Sequence, residues 1–420
     1  MDATPTKRSL RVAIFSDSYV PIVNGVSISV ESLVHELRER GHSVHIFTAS
    51  YRGHRDEDPN VHRFLSIRLP SAPGYPLAIP PFYPWIRSFR SRRFDIIHTH
   101  TPFTVGFVGL RWAESHGIPI VSTYHTLYQR YVHYVPFIPR AYLLYRIAKH
   151  TNYYYNRCAH VIAPSEAAER SLRRHGVHSP VSIIPTGTPK PKTLSRDEAR
   201  ELLGMRDNEK VLLYVGRVAP EKNLRLLFEA LANVVEMRPE ARLWLVGDGP
   251  ARKELQSLAR TLGVGDKVRF VGAVPRRDVD TYYVAADLFV FSSMTETQGL
   301  VIGEAMSYGL PAIAVDGGGA GENIEDDVNG YTVGNSAKQF AETVARVLSN
   351  PSLLGRLSEG ARRSVKRWTV EDYCEAVLEV YSDVLARSES TPLEARRVSP
   401  VSRVAGLERD EEPKRGREWP

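Results

Sequence analysis

Cysteine is scarce: Cys158 and Cys374 are the only two in 420 residues. So few exclude a disulfide-stapled scaffold and a cysteine-ligated zinc module, and a reducing cytosol is the expected setting. Long apolar runs are missing too. None approaches the roughly 20 residues that a helix needs to cross a bilayer. The opening MDATPTKRSLRVAIF lacks the n-region and h-region of a secretory signal, so the chain is expected to fold and act in the cytoplasm. No Walker A loop with its Lys-Ser/Thr pair occurs, and no short tandem repeat.

What remains is ordinary globular material, 42% hydrophobic and 25% charged, of a length that suits two to three domains. Charge is unevenly placed. Residues 1–190 hold 23 Lys and Arg against 12 Asp and Glu, whereas the rest hold 32 against 36. A basic first half implies a polyanionic partner: nucleic acid, an anionic membrane or an acidic substrate.

Short apolar runs alternate with helical spacing. RVAIFSD (11–17), a helical stretch ending at Gly41, SVHIFTA (43–49), FDIIHTH (94–100) and IPIVSTYHT (118–126) form one series. KVLLYVGR (210–217), ARLWLVGDG (241–249), KVRFVGAV (267–274), AADLFVFSS (285–293) and LPAIAVD (310–316) form a second. This pattern predicts an α/β chain of two doubly wound, Rossmann-like parallel-sheet domains across a cleft, with ligands at the carboxyl ends of the strands. The stretch 182–200, rich in Pro, Thr and Lys, reads as the linker. Residues 387–420 are charged and poor in large apolar side chains, and read as a disordered tail.

Two strand-to-helix turns hold the chemistry. In YVGRVAPEKN (214–223), Gly216 permits close backbone approach, and Arg217 and Lys222 place two cations near a helix start. That suits a diphosphate; it also suits an ordinary loop with solvated charges. In TETQGLVIGEAM (295–306), Glu296 lies in a polar turn and Glu304 one to two turns inside a helix. One carboxylate at the mouth and one deeper fit two sugars of one nucleotide-sugar. The Asp278-Val279-Asp280 triplet is a D-x-D, but PRRDVDTYY reads as a helix start, where acidic residues cap. His125, after a strand, suits either a structural or a functional role.

Together GRVAPEKN, LWLVGDGP, FVGAVP, AADLFVFSSMTETQGLVIGEAMSYGLPAIAVDGGGAGENI and NGYTV resemble the retaining glycosyltransferases of family 4, which have the GT-B fold. The resemblance spans roughly residues 10–385, and Glu296 and Glu304 form its E-x7-E signature. It implies that Arg217 and Lys222 hold the donor diphosphate and that Glu304 holds the nucleotide ribose. Glu296 would face the transferred sugar, and Thr297, Gly299 and Leu300 would lie near sugar and phosphate. Gly216 and Val274 would line the donor site, Gly25 would close over the phosphates, and His125 would stand near the reacting centre. No metal and no cofactor are implied beyond the nucleotide-sugar, because the Arg/Lys pair replaces the ion. The implied boundaries are an acceptor-side domain at 1–188, a donor domain at 189–367 and a helix at 368–386 that returns to the first domain.

The acceptor reading rests on YPLAIPPFYPWIRSFRSRRFD (75–95), where Trp85 and other aromatics interleave with Arg87, Arg90, Arg92 and Arg93. Such a segment suits an anionic membrane surface, as does the aromatic and basic stretch 124–157; either also suits a connecting or core helix. HTHTPFTVGFVG, STYHTLYQRYVHYVP and TETQGLV look most like bacterial 1,2-diacylglycerol 3-glucosyltransferases, with phosphatidylinositol mannosyltransferases next. The resemblance implies a peripheral enzyme on the inner face of the plasma membrane that glycosylates a lipid from UDP-glucose. The residues themselves do not separate that donor from GDP-mannose, set an oligomeric state or exclude a soluble acceptor. Competing classes are a nucleotide-sugar epimerase on the same fold, a non-catalytic scaffold and nucleic-acid binding. The last leaves Glu296 and Glu304 unexplained, because carboxylates repel phosphates, and no nucleic acid is expected as a partner.

Overall fold

The computed structural model describes residues 8–69, 72–79, 93–132 and 137–390. The chain begins with β1 (Arg11–Phe15), a run buried at every position but its first. α1 (Gly25–Glu39) follows, started by a reciprocal cap in which Asn24 Oδ1 accepts the Ser27 N–H at 2.9 Å and Ser27 Oγ accepts the Asn24 N–H at 3.0 Å. Gly41, at φ 81°, takes the left-handed position just past its end. Next come β2 (Ser43–Ala49), β3 (Val61–Phe64), β4 (Ser66–Leu69), β5 (Ala72–Ala78), β6 (Ile96–Thr99), α2 (Thr104–His116), β7 (Ile120–Thr123), α3 (Arg140–Tyr155), β8 (His160–Ala163), α4 (Glu166–Arg174) and β9 (Val181–Ile183). The second series is α5 (Arg196–Leu202), β10 (Lys210–Val215), α6 (Leu224–Met237), β11 (Ala241–Val246), α7 (Arg252–Thr261), β12 (Val268–Gly272), α8 (Val279–Ala285), β13 (Leu288–Phe291), α9 (Leu300–Ser307), β14 (Ala312–Val315), β15 (Gly330–Val333), α10 (Ala337–Leu348), α11 (Pro351–Val365) and α12 (Val370–Glu389).

Two parallel sheets result, in the orders β3-β2-β1-β6-β7-β8-β9 and β12-β11-β10-β13-β14-β15. The strand order reverses direction at β1/β6 in the first and at β10/β13 in the second. A crevice opens at such a reversal, beyond the carboxyl ends of the strands. The loops after β10 and β13 are those that hold Lys222 and Glu296, so topology alone brings the two turns together.

The second sheet has one continuous core, from Val211 through Phe289 and Ile302 to Ala361. The first sheet is covered on both faces. One face packs Phe15, Phe47, Tyr124, Tyr154 and Tyr155. The other packs Val12, Ile14, Leu33 and Leu37 against Tyr373, Val377 and Tyr381 of α12, so the last helix lies in the core of the first sheet.

Three expectations change. The linker is shorter than 182–200: β9 takes its start, and α5 takes its end, nucleated by a reciprocal Ser195–Glu198 cap. β4 and β5 form an antiparallel hairpin outside both large sheets, so the stretch 75–95 opens as a strand through Ala78. Trp85, Arg87, Arg90 and Arg92 lie outside the described residues; Arg93 is described and exposed. The final helix runs to Glu389, into the start of the expected tail, and residues 391–420 lie outside the described residues.

Candidate functional site

Past β10 the chain turns at Gly216, whose φ of 150° favours glycine. A Cβ there would stand 2.8 Å from the Tyr214 hydroxyl, which donates to the Arg217 carbonyl at 3.0 Å. A short 3-10 turn, Pro220–Lys222, follows, and Asn223 in the left-handed region closes it before α6. Past β13, Glu296 comes back toward this turn, and Lys222 Nζ donates to Glu296 Oε1. Ser292 Oγ donates to the Lys222 carbonyl at 2.9 Å and Ser293 Oγ to Glu296 Oε1 at 3.3 Å. Burial works against the Lys222 ammonium, but Glu296, Tyr131 and Tyr214 outweigh it and its pKa is raised.

Arg217 donates to Glu221, whose side chain is only 1% exposed. The two cations therefore share a loop, but each faces its own carboxylate. Glu304 sits apart from both, with 5% of its surface exposed. Arg276 grips it with Nη1 on Oε2 at 3.0 Å and Nη2 on Oε1 at 2.5 Å, and Tyr283 donates to Oε2 at 2.9 Å. A carboxylate offers about four acceptor sites. Three are filled, so Glu304 as it stands has room for one ribose hydroxyl, not both. Val274 lies two residues before Arg276 and packs against the second core.

The turn with Glu296 is seated by glycines. Gly299 (φ 73°) is the cap residue just before α9, and the Gly319 N–H donates to the Glu296 carbonyl at 2.8 Å. A Cβ at Gly319 would stand 1.8 Å from the Thr297 carbonyl oxygen, so only glycine fits. Gln298 clamps the turn to the interdomain connection: its Oε1 accepts the Thr186 N–H at 2.9 Å and its Nε2 donates to the Thr186 carbonyl at 2.8 Å.

The first sheet faces this site. Thr297 Oγ1 donates to the His125 carbonyl at 2.8 Å. Tyr131 is partly buried, and the loss of solvent raises its phenol's pKa; it lies within the fields of Lys222 and Glu296. Gly25 and Leu300 are the first residues of α1 and α9, and a Cβ on Gly25 would lie 3.7 Å from Leu300 Cδ1. Two helix N-termini thus meet across the cleft, and their positive ends converge on one space. Glu322 accepts the N–H groups of Glu166 and Ala167, both at 2.8 Å, and so caps α4 from the other unit.

Behind His125 lie two more imidazoles. His125 Nε2 and His100 Nδ1 are 2.9 Å apart, and the His100 ring lies against His98 at a tilt of 31°, with ring centroids 4.2 Å apart. His98 meets the Tyr381 hydroxyl at 2.7 Å and Thr123 Oγ1 at 2.8 Å. Burial holds all three neutral: His98 and His125 titrate near 3, and His100 lies well below the usual histidine range. Asp278 stands at the N-cap of α8 but makes no side-chain cap bond; it pairs with Arg277 at 3.8 Å, and the partly buried Asp280 pairs with Lys192 at 2.8 Å, so the two acids are engaged in ion pairs and not in capping.

The structure thus brings together Glu296, Lys222, Gly216, Arg217, Thr297, Gly299, Leu300, Gly25 and His125, and holds Glu304 separately. Arg276, Tyr283, Gln298, Tyr131, Glu322 and His100 were not singled out from the sequence. Only His100 carried a usable signal, since His98 and His100 alternate as strand neighbours on one face do.

The model described as Glycosyltransferase Family 4 matches residues 23–189, and that described as Glycosyl transferases group 1 matches 195–364. The alpha-monoglucosyldiacylglycerol synthase of Acholeplasma laidlawii is 32% identical over 396 residues, which is 90% of this chain and 98% of that one. A GDP-mannose-dependent alpha-mannosyltransferase of Mycobacterium tuberculosis is 31% identical over 399 residues, 90% and 98% of the two chains. Among solved structures, a sucrose-phosphate synthase from Thermosynechococcus elongatus superposes with a TM-score of 0.76 at 24% identity, covering 90% of this chain and all of that one.

Proposed function

The chain belongs to the family 4 glycosyltransferases, and from that premise we propose that it moves glucose from UDP-glucose to a diacylglycerol-type membrane lipid, retaining the anomeric configuration. The observation that carries the donor side is the meeting of two helix N-termini beside the Lys222–Glu296 pair, with Arg217 in the same loop as Lys222. Breaking the bond between the sugar's anomeric carbon and the diphosphate oxygen leaves positive charge on carbon and negative charge on phosphate. The cations and helix ends stabilise the leaving phosphate electrostatically. The acceptor hydroxyl forms the new bond from the same face, and its proton passes to the departing phosphate oxygen, so no protein base is needed. Lys222 and Arg217 supply the charge that a metal ion would otherwise bring.

Glu296 takes the sugar hydroxyls, exchanging part of its contact with Lys222. Glu304 takes the ribose through its remaining acceptor site. The backbone of Thr297 to Leu300 borders sugar and phosphate, with Val274 toward the base.

The lipid acceptor is supported by the names of the relatives and by the surface of the first unit. No Asp or Glu occurs between Glu114 and Glu166. Phe137 is 96% exposed, and Tyr142 and Tyr145 are exposed beside Arg140, Arg146 and Lys149. Each such cation adds about 1 kcal/mol at an anionic surface. Among the described residues no helix is long and apolar enough to cross a membrane, and we read the enzyme as peripheral, on the cytoplasmic leaflet.

The test is a donor screen: labelled UDP-glucose, UDP-galactose, UDP-GlcNAc and GDP-mannose, each with vesicles containing diacylglycerol or phosphatidylinositol. Label from UDP-glucose in extracted diacylglycerol supports the reading. Label from GDP-mannose would favour the mannosyltransferase reading, which the 31% identical relative supports. Label confined to water-soluble products would overturn the lipid acceptor.

A further inference from the structure

His125 reaches the cleft with one ring nitrogen, and the structure behind it decides which atom that nitrogen carries. Its Nε2 is engaged by His100 Nδ1 at 2.9 Å. Its Nδ1 is engaged by no described residue, and the side chain is only partly buried, so Nδ1 is the nitrogen left for a ligand. His100 is wholly buried, and its Nε2 is a sealed atom with no hydrogen-bond partner.

One proton is shared between the two imidazoles, and two arrangements are open. If His125 Nε2 is the donor, His100 Nδ1 must be the acceptor. His100 then carries its own proton on Nε2, a buried N–H with nothing to bond. If His100 Nδ1 is the donor, its Nε2 keeps a lone pair instead. Orphaned buried N–H groups are rarer in proteins than under-used acceptors, because an unmade donor bond costs the full desolvation of that group. Double protonation is closed off as well, since His100 is buried and both His98 and His125 press against its ring.

We infer that His100 is a positioning residue that donates from Nδ1 to His125 Nε2, fixing His125 as the Nδ1–H tautomer so that it offers the cleft a hydrogen-bond donor and not a base. The consequence for chemistry is specific. An N–H directed into the cleft stabilises a sugar oxygen or the departing phosphate as charge builds on it. It cannot take the acceptor's proton, which agrees with passage of that proton to the leaving group. The inference rests on His125 facing the reacting centre, as proposed above.

The direct test is histidine-selective 15N labelling of the full chain. Two-bond proton–nitrogen spectra at neutral pH give the tautomer of His125, assigned by the signals lost in His125→Gln. A pyrrole-like Nδ1 with a pyridine-like Nε2 is expected; the reverse pattern overturns the inference. A second arm uses the side chain's geometry. Asparagine carries an amide N–H close to where His Nδ1–H lies, whereas aspartate there can only accept. His100→Asn should retain kcat within a few-fold, and His100→Asp should lower kcat by about 100-fold, with donor KM moved far less. Equal losses in the two variants would also overturn the tautomer argument. If the spectrum shows the Nδ1–H form but His125→Ala leaves kcat unchanged, the tautomer stands and the placement of His125 at the reacting centre fails.

Discussion

Lys222→Met tests the centre of the site, because it separates a structural ion pair from a catalytic charge. In the folded chain Lys222 Nζ meets Glu296 Oε1, with 15% and 22% of the two side chains exposed. Breaking a fully buried pair costs about 3–5 kcal/mol, and an exposed pair is worth about 0–1 kcal/mol. A pair one-fifth exposed sits between, so Lys222→Met should cost about 2 kcal/mol of stability, most of it from leaving Glu296 with little beyond the Ser293 hydroxyl. Removing a preorganised charge from the leaving group should lower kcat by about 100- to 1000-fold, or ~3–4 kcal/mol. The double variant Lys222→Met/Glu296→Gln removes both charges, so stability should return to within about 1 kcal/mol of the parent while kcat stays low. Urea unfolding and steady-state transfer of labelled sugar measure the two quantities on the same samples. The raised Lys222 pKa fixes the pH window: the pair's contribution is complete below the ordinary lysine pKa of about 10.4 and fades as pH climbs from there through the folded value. A single variant with kcat within tenfold of the parent, or a double variant that regains activity along with stability, would refute the reasoning.

Three further outcomes follow from the geometry. His98 titrates near 3 when folded, so between about pH 6.5 and 3 the unfolded chain binds the extra proton and stability falls by about 1.4 kcal/mol per pH unit for this group. Urea midpoints from pH 7.5 to 5.5 should show a slope that His98→Asn reduces, and a flat profile would contradict neutral burial. Glu322→Ala removes the acceptor for two N–H groups of α4, costing about 1 kcal/mol, and should widen the cleft as seen by small-angle scattering. Cys158 and Cys374 are buried, and burial raises the Cys158 thiol pKa, so a thiol reagent should label neither until denaturant unfolds the chain.

The doubly wound sheets were legible because runs such as VLLYV (211–215) and LWLV (243–246) are apolar without interruption, as strands covered on both faces must be. The turn between Thr295 and Gly299 was legible because polar residues and a glycine end such a run. Side-chain partners were not. Arg276 sits 28 residues from Glu304, and Gln298 is 112 residues from Thr186, so neither pairing has a local period to betray it. Arg276 lay within PRRDVD, where helix-start chemistry accounted for every charge. The early end of the linker was hidden by the same stretch's Pro and Thr content, although Ser195 and Glu198 have the spacing of a helix cap. The hairpin of β4 and β5 left no clean alternation, since proline and glycine interrupt APGYPLA.

The position of α12 has a consequence for how the molecule is made. Tyr373, Cys374, Val377, Tyr381 and Val384 complete one face of the first sheet, yet the whole second unit lies between β9 and them in the chain. As the polypeptide leaves the ribosome, β1 and α1 emerge well before α12 and wait with an open apolar face until the whole second unit and that helix have been added. That interval is a window for chaperone capture and for self-association. A premature stop near Val365 would be a lesion of the first sheet as much as of the second: it removes no strand, and it unroofs the oldest part of the fold.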